Sequence, residues 1–196
     1  MISSLFTKIL SSDEIAKVVQ VCTRLAINPN WLLAVIYFET ARTMSPQKTN
    51  SIGSVGLIQF TRDSANLDSK TINGKRYGLN EIRRMSFIEQ MDLVYLYYLP
   101  YKGKIHSFLD TYLVTFFPSA LGKSDSYIIS TKNLSAGLIA KQNPIFDLDK
   151  NGQITLGEIK QRFSVYYGKK EFSLINTTTI SIFSVLLIPF FFTNLF

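Results

Sequence analysis

Two groups of residues in this 196-residue chain have the types and spacing to do chemistry. The first is a carboxylate that ends an apolar run. Trp31-Leu32-Leu33-Ala34-Val35-Ile36-Tyr37-Phe38 leads straight into Glu39, which therefore has poorly solvating neighbours. Desolvation disfavours the charged form, so such a Glu tends to keep its proton near neutral pH. A protonated carboxyl can donate to a departing oxygen, which is the step that cleavage of a glycosidic bond needs. A polar loop follows, and then Gly53-Ser54-Val55-Gly56, whose glycines allow a tight turn. Leu57-Ile58-Gln59-Phe60 is expected to start another helix. Gln59 is the residue there with hydrogen-bonding groups to offer a ligand.

The second group is Asp147-Leu148-Asp149-Lys150-Asn151-Gly152-Gln153-Ile154-Thr155-Leu156-Gly157-Glu158. Its oxygen donors are spaced as a calcium loop requires. Asp147, Asp149 and Asn151 offer side-chain oxygens, Gln153 its backbone carbonyl, and Glu158 both carboxylate oxygens. Thr155 approaches directly or through water, Gly152 permits the sharp turn, and Ile154 anchors the loop to the core. The chain has one Cys and one His, so no Cys/His metal site can be built and any metal must be held by oxygen. Cys22 lies in an apolar helical series and reads as a core residue. His106 reads as a packing or capping residue.

The elements that must position these residues are helical. Ser11 and Glu14 have capping-box spacing ahead of Ile15, Val18, Val19, Cys22 and Leu25, which predicts a helix over 12–26. Asn28 and Pro29 open a second helix that carries Trp31 to about Arg42. Residues 44–55 are a loop, 57–67 start helical, and Asn73-Gly74 signals a turn or small hairpin. Ser86 and Glu89 cap a helix that ends at Pro100, and 105–117 form the next, closed by Pro118. Residues 119–143 are looser, with a short helix near 134–140. The calcium loop's exiting helix is expected at 156–167, while Asn143-Pro144 compromises the entering one. Trp31 and the tyrosines of 95–101 could stack on sugars, but aromatic stripes at helical spacing read as core. The class is all-α.

Glu39-Thr40 followed by Gly56-Leu57-Ile58-Gln59 resembles the lysozyme-like lytic transglycosylases of the soluble-transglycosylase type, phage-encoded members included. The likeness extends weakly through 98–122. It implies that Glu39 is general acid and then general base, and that the substrate is bacterial peptidoglycan. It also implies that the muramyl 6-hydroxyl is the nucleophile, so one carboxylate suffices and a 1,6-anhydro sugar results. Thr40, Ser51, Gly56, Leu57, Ile58 and Gln59 would line the substrate site. The family's third motif has no clean match: Phe116 falls at its tyrosine position, and Tyr112, one helical turn earlier, could supply the hydroxyl. The acidic loop resembles an EF-hand, with a structural rather than sensory Ca2+. A hydrolase of the muramidase type, and a non-catalytic virion protein on the same scaffold, are the competing readings.

The net charge of +7 is scattered, and no nucleic-acid partner is expected. The N-terminus lacks the pattern of a secretory signal. Residues 172–196 carry no charge, and with Lys169 and Lys170 before them they read as a transmembrane helix. The expected organisation is a lysozyme-like domain over 1–142, an EF-hand-like segment over 143–170, and a membrane anchor over 172–196. A membrane-anchored protein without an export signal fits a phage virion, beside other virion proteins, or the host inner membrane.

Overall fold

The capping residues begin the helices where the sequence places them. In the computed structural model, which describes residues 1–132 and 134–177, Ser11 and Glu14 form a reciprocal capping box at the start of α2 (Ser12–Leu25), which follows the short α1 (Ser4–Thr7). Asn28 caps α3 (Pro29–Glu39) by accepting from the Asn30 N–H, and Pro29 occupies the first helical position. Ser86 and Glu89 box the start of α5 (Phe87–Tyr98). Ser107 caps α6 (Phe108–Phe116), Ser135 caps α7 (Ala136–Gln142), and Thr155 with Glu158 opens α8 (Leu156–Tyr167). The described residues are mostly helical, as an all-α reading predicts.

Asn73-Gly74 makes a two-stranded antiparallel hairpin, β1 (Ser69–Ile72) and β2 (Lys75–Gly78), paired Ser69 to Gly78 and Ile72 to Lys75. Both turn residues have positive φ, 47° and 77°, the geometry that Asn-Gly adopts readily. The sequence reading did not include α4 (Leu79–Arg84), which begins where Glu81 reaches back to the Gly78 N–H.

α3 is the central helix. Residues 30–36 are all buried, and α2, α6 and the last helix, α9 (Lys169–Asn176), pack around it. Two expectations about its surroundings are corrected. The helix does not run to Arg42: the Arg42 N–H donates to Tyr37 O (2.7 Å) and the Ala41 N–H to Phe38 O (3.0 Å), a Schellman ending. Residues 57–60 are not helical either. Val55 and Phe60 exchange both backbone hydrogen bonds (2.8 and 3.1 Å), so 56–59 is a closed turn with Gln59 at φ 51°.

The acidic segment belongs to the same core as the N-terminal part. Phe163 of α8 is fully buried, with its ring 4.8 Å from Phe38, 4.8 Å from Phe108 and 4.7 Å from Tyr112. α9 buries Phe172 and Ile175, and the Asn28 amide donates to Thr177 O (3.2 Å). Residues 172–176, expected at the start of a membrane span, are thus an amphipathic helix packed on the fold. The remainder of that expected span, 178–196, lies outside the described residues. Among the described residues no single helix is long and apolar enough to cross a membrane.

Phe163→Ala should remove about 3–5 kcal/mol of stability, as large-to-small changes in aromatic cores do, measured by denaturant unfolding of the full chain. A loss under about 1 kcal/mol would show that α8 is not integral to the core.

Candidate functional site

Glu39 stands at the C-terminal end of α3, where the helix dipole and the surrounding aromatic rings both oppose a negative charge. The backbone just beyond it is held in an unusual shape. Ala41, Arg42 and Met44 have φ of 51°, 72° and 55°, a left-handed region that costs L-residues about 1–2 kcal/mol each. Thr40 holds this turn together. Its hydroxyl is buried, donates to Ile36 O (2.7 Å) and accepts from the Met44 N–H (2.9 Å). Strain next to a desolvated acid is a common feature of functional sites.

The walls around Glu39 come from four separate segments. Phe38 packs against Tyr112 and Phe146 (5.7 and 6.1 Å) and against Phe163 and Tyr166 (4.8 and 5.1 Å). The charge of Glu39 is felt at the hydroxyls of Tyr97, Tyr98, Tyr112 and Tyr167. Burial foremost raises all four, Tyr97 to about 12, and the Glu39 charge is among the smaller causes in each. All four are therefore neutral hydrogen-bond donors. Tyr98 is committed to Thr111 O (2.9 Å) and Tyr167 to Ala34 O (2.5 Å). The Tyr112 hydroxyl has no hydrogen-bond partner among the described residues. Phe116 stacks on Tyr112 at 5.4 Å and 22°, so of the two candidates Tyr112 carries the available hydroxyl near Glu39.

Burial pushes the Glu39 carboxyl up to about 8. Glu39 as a residue is partly exposed, and its carboxyl accepts no hydrogen bond from any described residue that would favour the charged form. No second carboxylate contributes to its shift. The other acids near this face are committed elsewhere. Partial desolvation pushes Asp63 up, but the Thr71 N–H (2.7 Å) and Lys70 (3.1 Å) outweigh it and hold the carboxyl below its ordinary value. Glu81 is spent on the cap of α4. A lone protonated acid can give a proton to a leaving oxygen and take one back.

The remaining sequence-predicted residues divide. Gly56 (φ 82°) and Gln59 shape the 56–59 turn. The Gln59 Nε2 donates to Lys48 O (3.1 Å) and Gly56 O (2.9 Å), while its Oε1 is buried without a partner. Leu57 and Ile58 are 0% and 4% exposed, so their side chains serve the core rather than a ligand surface. Ser51 is exposed at a bend, where the ordering is done by Asn50, whose Oδ1 accepts from the N–H groups of Ile52 and Ser54 (3.1 and 2.9 Å). Trp31 is a core residue, 4% exposed. Cys22 is buried, and His106 uses its backbone N–H on Asp110 (2.9 Å).

Two contributors were not anticipated. Tyr167 comes within range of the Glu39 charge only through the tertiary fold. Gln90 carried a signal: it is a polar residue on the otherwise apolar face of α5 formed by Phe87, Met91 and Val94, and it is fully buried.

The acidic loop gathers three carboxylates. Ligand atoms of Asp147, Asp149 and Glu158 lie within 4.8 Å of one another. Backbone donors turn the oxygens inward: Gly152 N–H to Asp147 (3.1 Å), Asn151 N–H to Asp149 (3.1 Å), and Gln153 N–H to Asn151 (2.8 Å). Leu148 and Thr155 N–H groups hold the two oxygens of Glu158 (3.0 and 2.8 Å). Partial desolvation pushes Glu158 up, and these donors outweigh it to keep the carboxyl low. The Asp147 Oδ1 is buried and has no hydrogen-bond partner among the described residues. Among the described residues no second acidic loop pairs with this one. Instead the 127–129 segment lies alongside, with the Ile129 N–H on Ile154 O (2.8 Å) and the Leu156 N–H on Tyr127 O (3.2 Å).

Because the folded Glu39 carboxyl titrates near 8 and the unfolded one near 4.5, the folded state binds the extra proton between those values. Wild-type stability should therefore fall, relative to Glu39→Gln, as pH rises from about 4.5 to 8, and the two should run parallel below that window. Chemical denaturation of both proteins across pH checks this, and parallel curves throughout would contradict the shift. Comparison with known protein families, with curated proteins and with solved structures finds no match to this chain.

Proposed function

We propose that this chain is a peptidoglycan lytic transglycosylase on a lysozyme-like helical scaffold, with Glu39 as its only catalytic carboxyl. The observation that carries the reading is the lone, desolvated Glu39, whose charge is felt at the unpartnered Tyr112 hydroxyl, with no second carboxylate coupled to it. Ordinary glycosidases need two carboxyl groups, one for the leaving group and one for water or the sugar. A single one suffices when the nucleophile is part of the substrate.

In that mechanism Glu39 protonates the oxygen that links the muramyl C1 to the next sugar, and the C1–O bond breaks. The carboxylate so formed accepts the proton of the muramyl 6-hydroxyl as its oxygen bonds to C1. The products are a 1,6-anhydro-muramyl end and a free 4-hydroxyl, and no water is consumed. The raised pKa of Glu39 suits both transfers, since acid and base forms are both accessible near neutral pH. Tyr112 orients the carboxyl, the unpartnered Oε1 of Gln59 accepts a hydrogen bond from the glycan, and Thr40 supports the strained turn.

The acidic loop is read as a structural Ca2+ site held by Asp147, Asp149, Asn151, Glu158 and the Gln153 carbonyl. Its role is to fix the loop between Phe146 and α8, both of which wall the Glu39 site. Residues 178–196, apolar and uncharged, supply a membrane anchor in this reading. The setting that best accommodates an anchored wall-cleaving enzyme is a phage virion or the host inner membrane.

The test uses the full chain in mild detergent with purified sacculi, and weighs the released fragments by mass spectrometry. Anhydro-muropeptides are expected from the wild type, with a loss of about 10²–10⁴-fold in Glu39→Gln. Reducing-end fragments would make the protein a hydrolase instead. No Glu39-dependent release would overturn the enzymatic reading. Calcium titration by calorimetry should give one site per chain, with the binding heat lost in Glu158→Gln. An absence of heat in the wild type would remove calcium from the account.

A further inference from the structure

We infer that Gln90 is a positioning residue that acts on the site through Gln59, by fixing the turn that aims the Gln59 acceptor at a hydrogen-bond donor on the ligand. The inference rests on the reading of Gln59 as a saccharide-binding residue. A primary amide in a helix core destabilises the fold unless its hydrogen-bonding groups are satisfied. Those of Gln90 are satisfied by three different segments. Its Oε1 accepts from the Leu57 N–H (2.9 Å), and its Nε2 donates to Pro46 O (2.6 Å) and to Ile82 O (2.8 Å). One side chain thus ties α5 to the start of the polar loop, to the end of α4 and to the 56–59 turn.

The neighbouring glycine is matched to this amide. A Cβ at position 56 would sit 2.3 Å from Gln90 Oε1, and Gly56 has a φ of 82°. Glycine is therefore required twice, by backbone conformation and by the space that Gln90 fills. The turn then sets the next amide. The Gly56 N–H donates to Lys48 O (2.8 Å), so those two residues lie together, and their carbonyls receive both protons of Gln59 Nε2 (2.9 and 3.1 Å). Two carbonyls can face only the nitrogen of an amide, so the Gln59 side chain cannot turn over. Its Oε1 is left buried, unpartnered and fixed as an acceptor. The ligand group it fits is an N–H or O–H, such as an acetamido nitrogen or a sugar hydroxyl, and not a carbonyl or carboxylate.

The experiment measures two quantities on the full chain in detergent: backbone hydrogen exchange, and affinity for an N-acetylglucosamine tetrasaccharide. The proteins are wild type, Gln90→Met, Gly56→Ala, Gln59→Ala and the Gln90→Met/Gln59→Ala double variant. Exchange at the Gly56 and Leu57 amides should speed up by about tenfold or more in Gln90→Met and Gly56→Ala, with α3 unchanged. Affinity should fall about tenfold in Gln90→Met and in Gln59→Ala, and the double variant should bind no worse than Gln59→Ala alone. Additive losses would overturn the inference, because Gln90 would then act independently of Gln59. Unchanged exchange at the turn in both Gln90→Met and Gly56→Ala would also overturn it. If the wild type binds no tetrasaccharide while exchange responds as expected, the saccharide reading fails and the strut stands. Gly56→Ala introduces its effect from the turn side, so it carries the test if Gln90→Met fails to fold.

Discussion

Everything proposed for this protein depends on the burial of the C-terminal turn of α3. Residues 30–36 fill the core, and Phe38 carries the burial on into rings from α6, from the segment before the acidic loop, and from α8. Glu39 is the next residue, so the apolar neighbourhood that stabilises Phe38 is the one that desolvates the carboxyl. The cost of disfavouring ionisation at one residue is offset by the packing of its neighbours, an arrangement that recurs where a perturbed pKa is functional. The turn beyond it shows the same trade. Ala41 and Arg42 accept left-handed backbone because Thr40 and the Schellman hydrogen bonds over-determine the helix end.

The acidic loop is joined mechanically to this turn. Phe146 immediately precedes the first acid, Asp147, and Phe163, Tyr166 and Tyr167 lie on the helix that follows Thr155. Phe146 and Phe163 face each other at 5.9 Å and both contact Phe38 and Tyr112. Whatever holds the two ends of the loop together also holds two walls of the Glu39 site. Pairing of the loop with 127–129 supplies the backbone partner that a second hand would otherwise provide. This explains how a single loop of this kind can keep its shape. The three ion pairs among the described residues, Lys17–Asp92, Lys70–Asp63 and Lys160–Asp125, lie toward the surface and contribute little by comparison.

What the sequence determined on its own was local. Capping boxes at Ser11/Glu14 and Ser86/Glu89 start helices because the signal involves residues three apart, whose hydrogen bonds form with little help from the rest of the chain. Asn73-Gly74 makes its hairpin for the same reason. The loop from Asp147 to Glu158, with α8 beginning at Leu156, could be read residue by residue since its backbone donors and its oxygens are neighbours in sequence. Glu39 stood out because its apolar neighbours are adjacent along the chain.

Tertiary structure decided the rest. A helix start at Leu57 is reasonable for isolated residues, but Val55 and Phe60 pair, and both Leu57 and Ile58 enter the core, which a closed turn allows. The end of α3 moved from Arg42 to Glu39 through hydrogen bonds made by Thr40 and Tyr37 to residues beyond the helix. Residues 172–176 lack charge, and that alone cannot distinguish a membrane span from a helix whose Phe172 and Ile175 meet a protein core. Gln90 meets the 56–59 turn and Tyr167 meets α3 because α5 and α8 bring them there, across separations that no local pattern encodes. Local hydrogen bonding is written in short spacings, whereas desolvation and close approach depend on which distant surfaces meet.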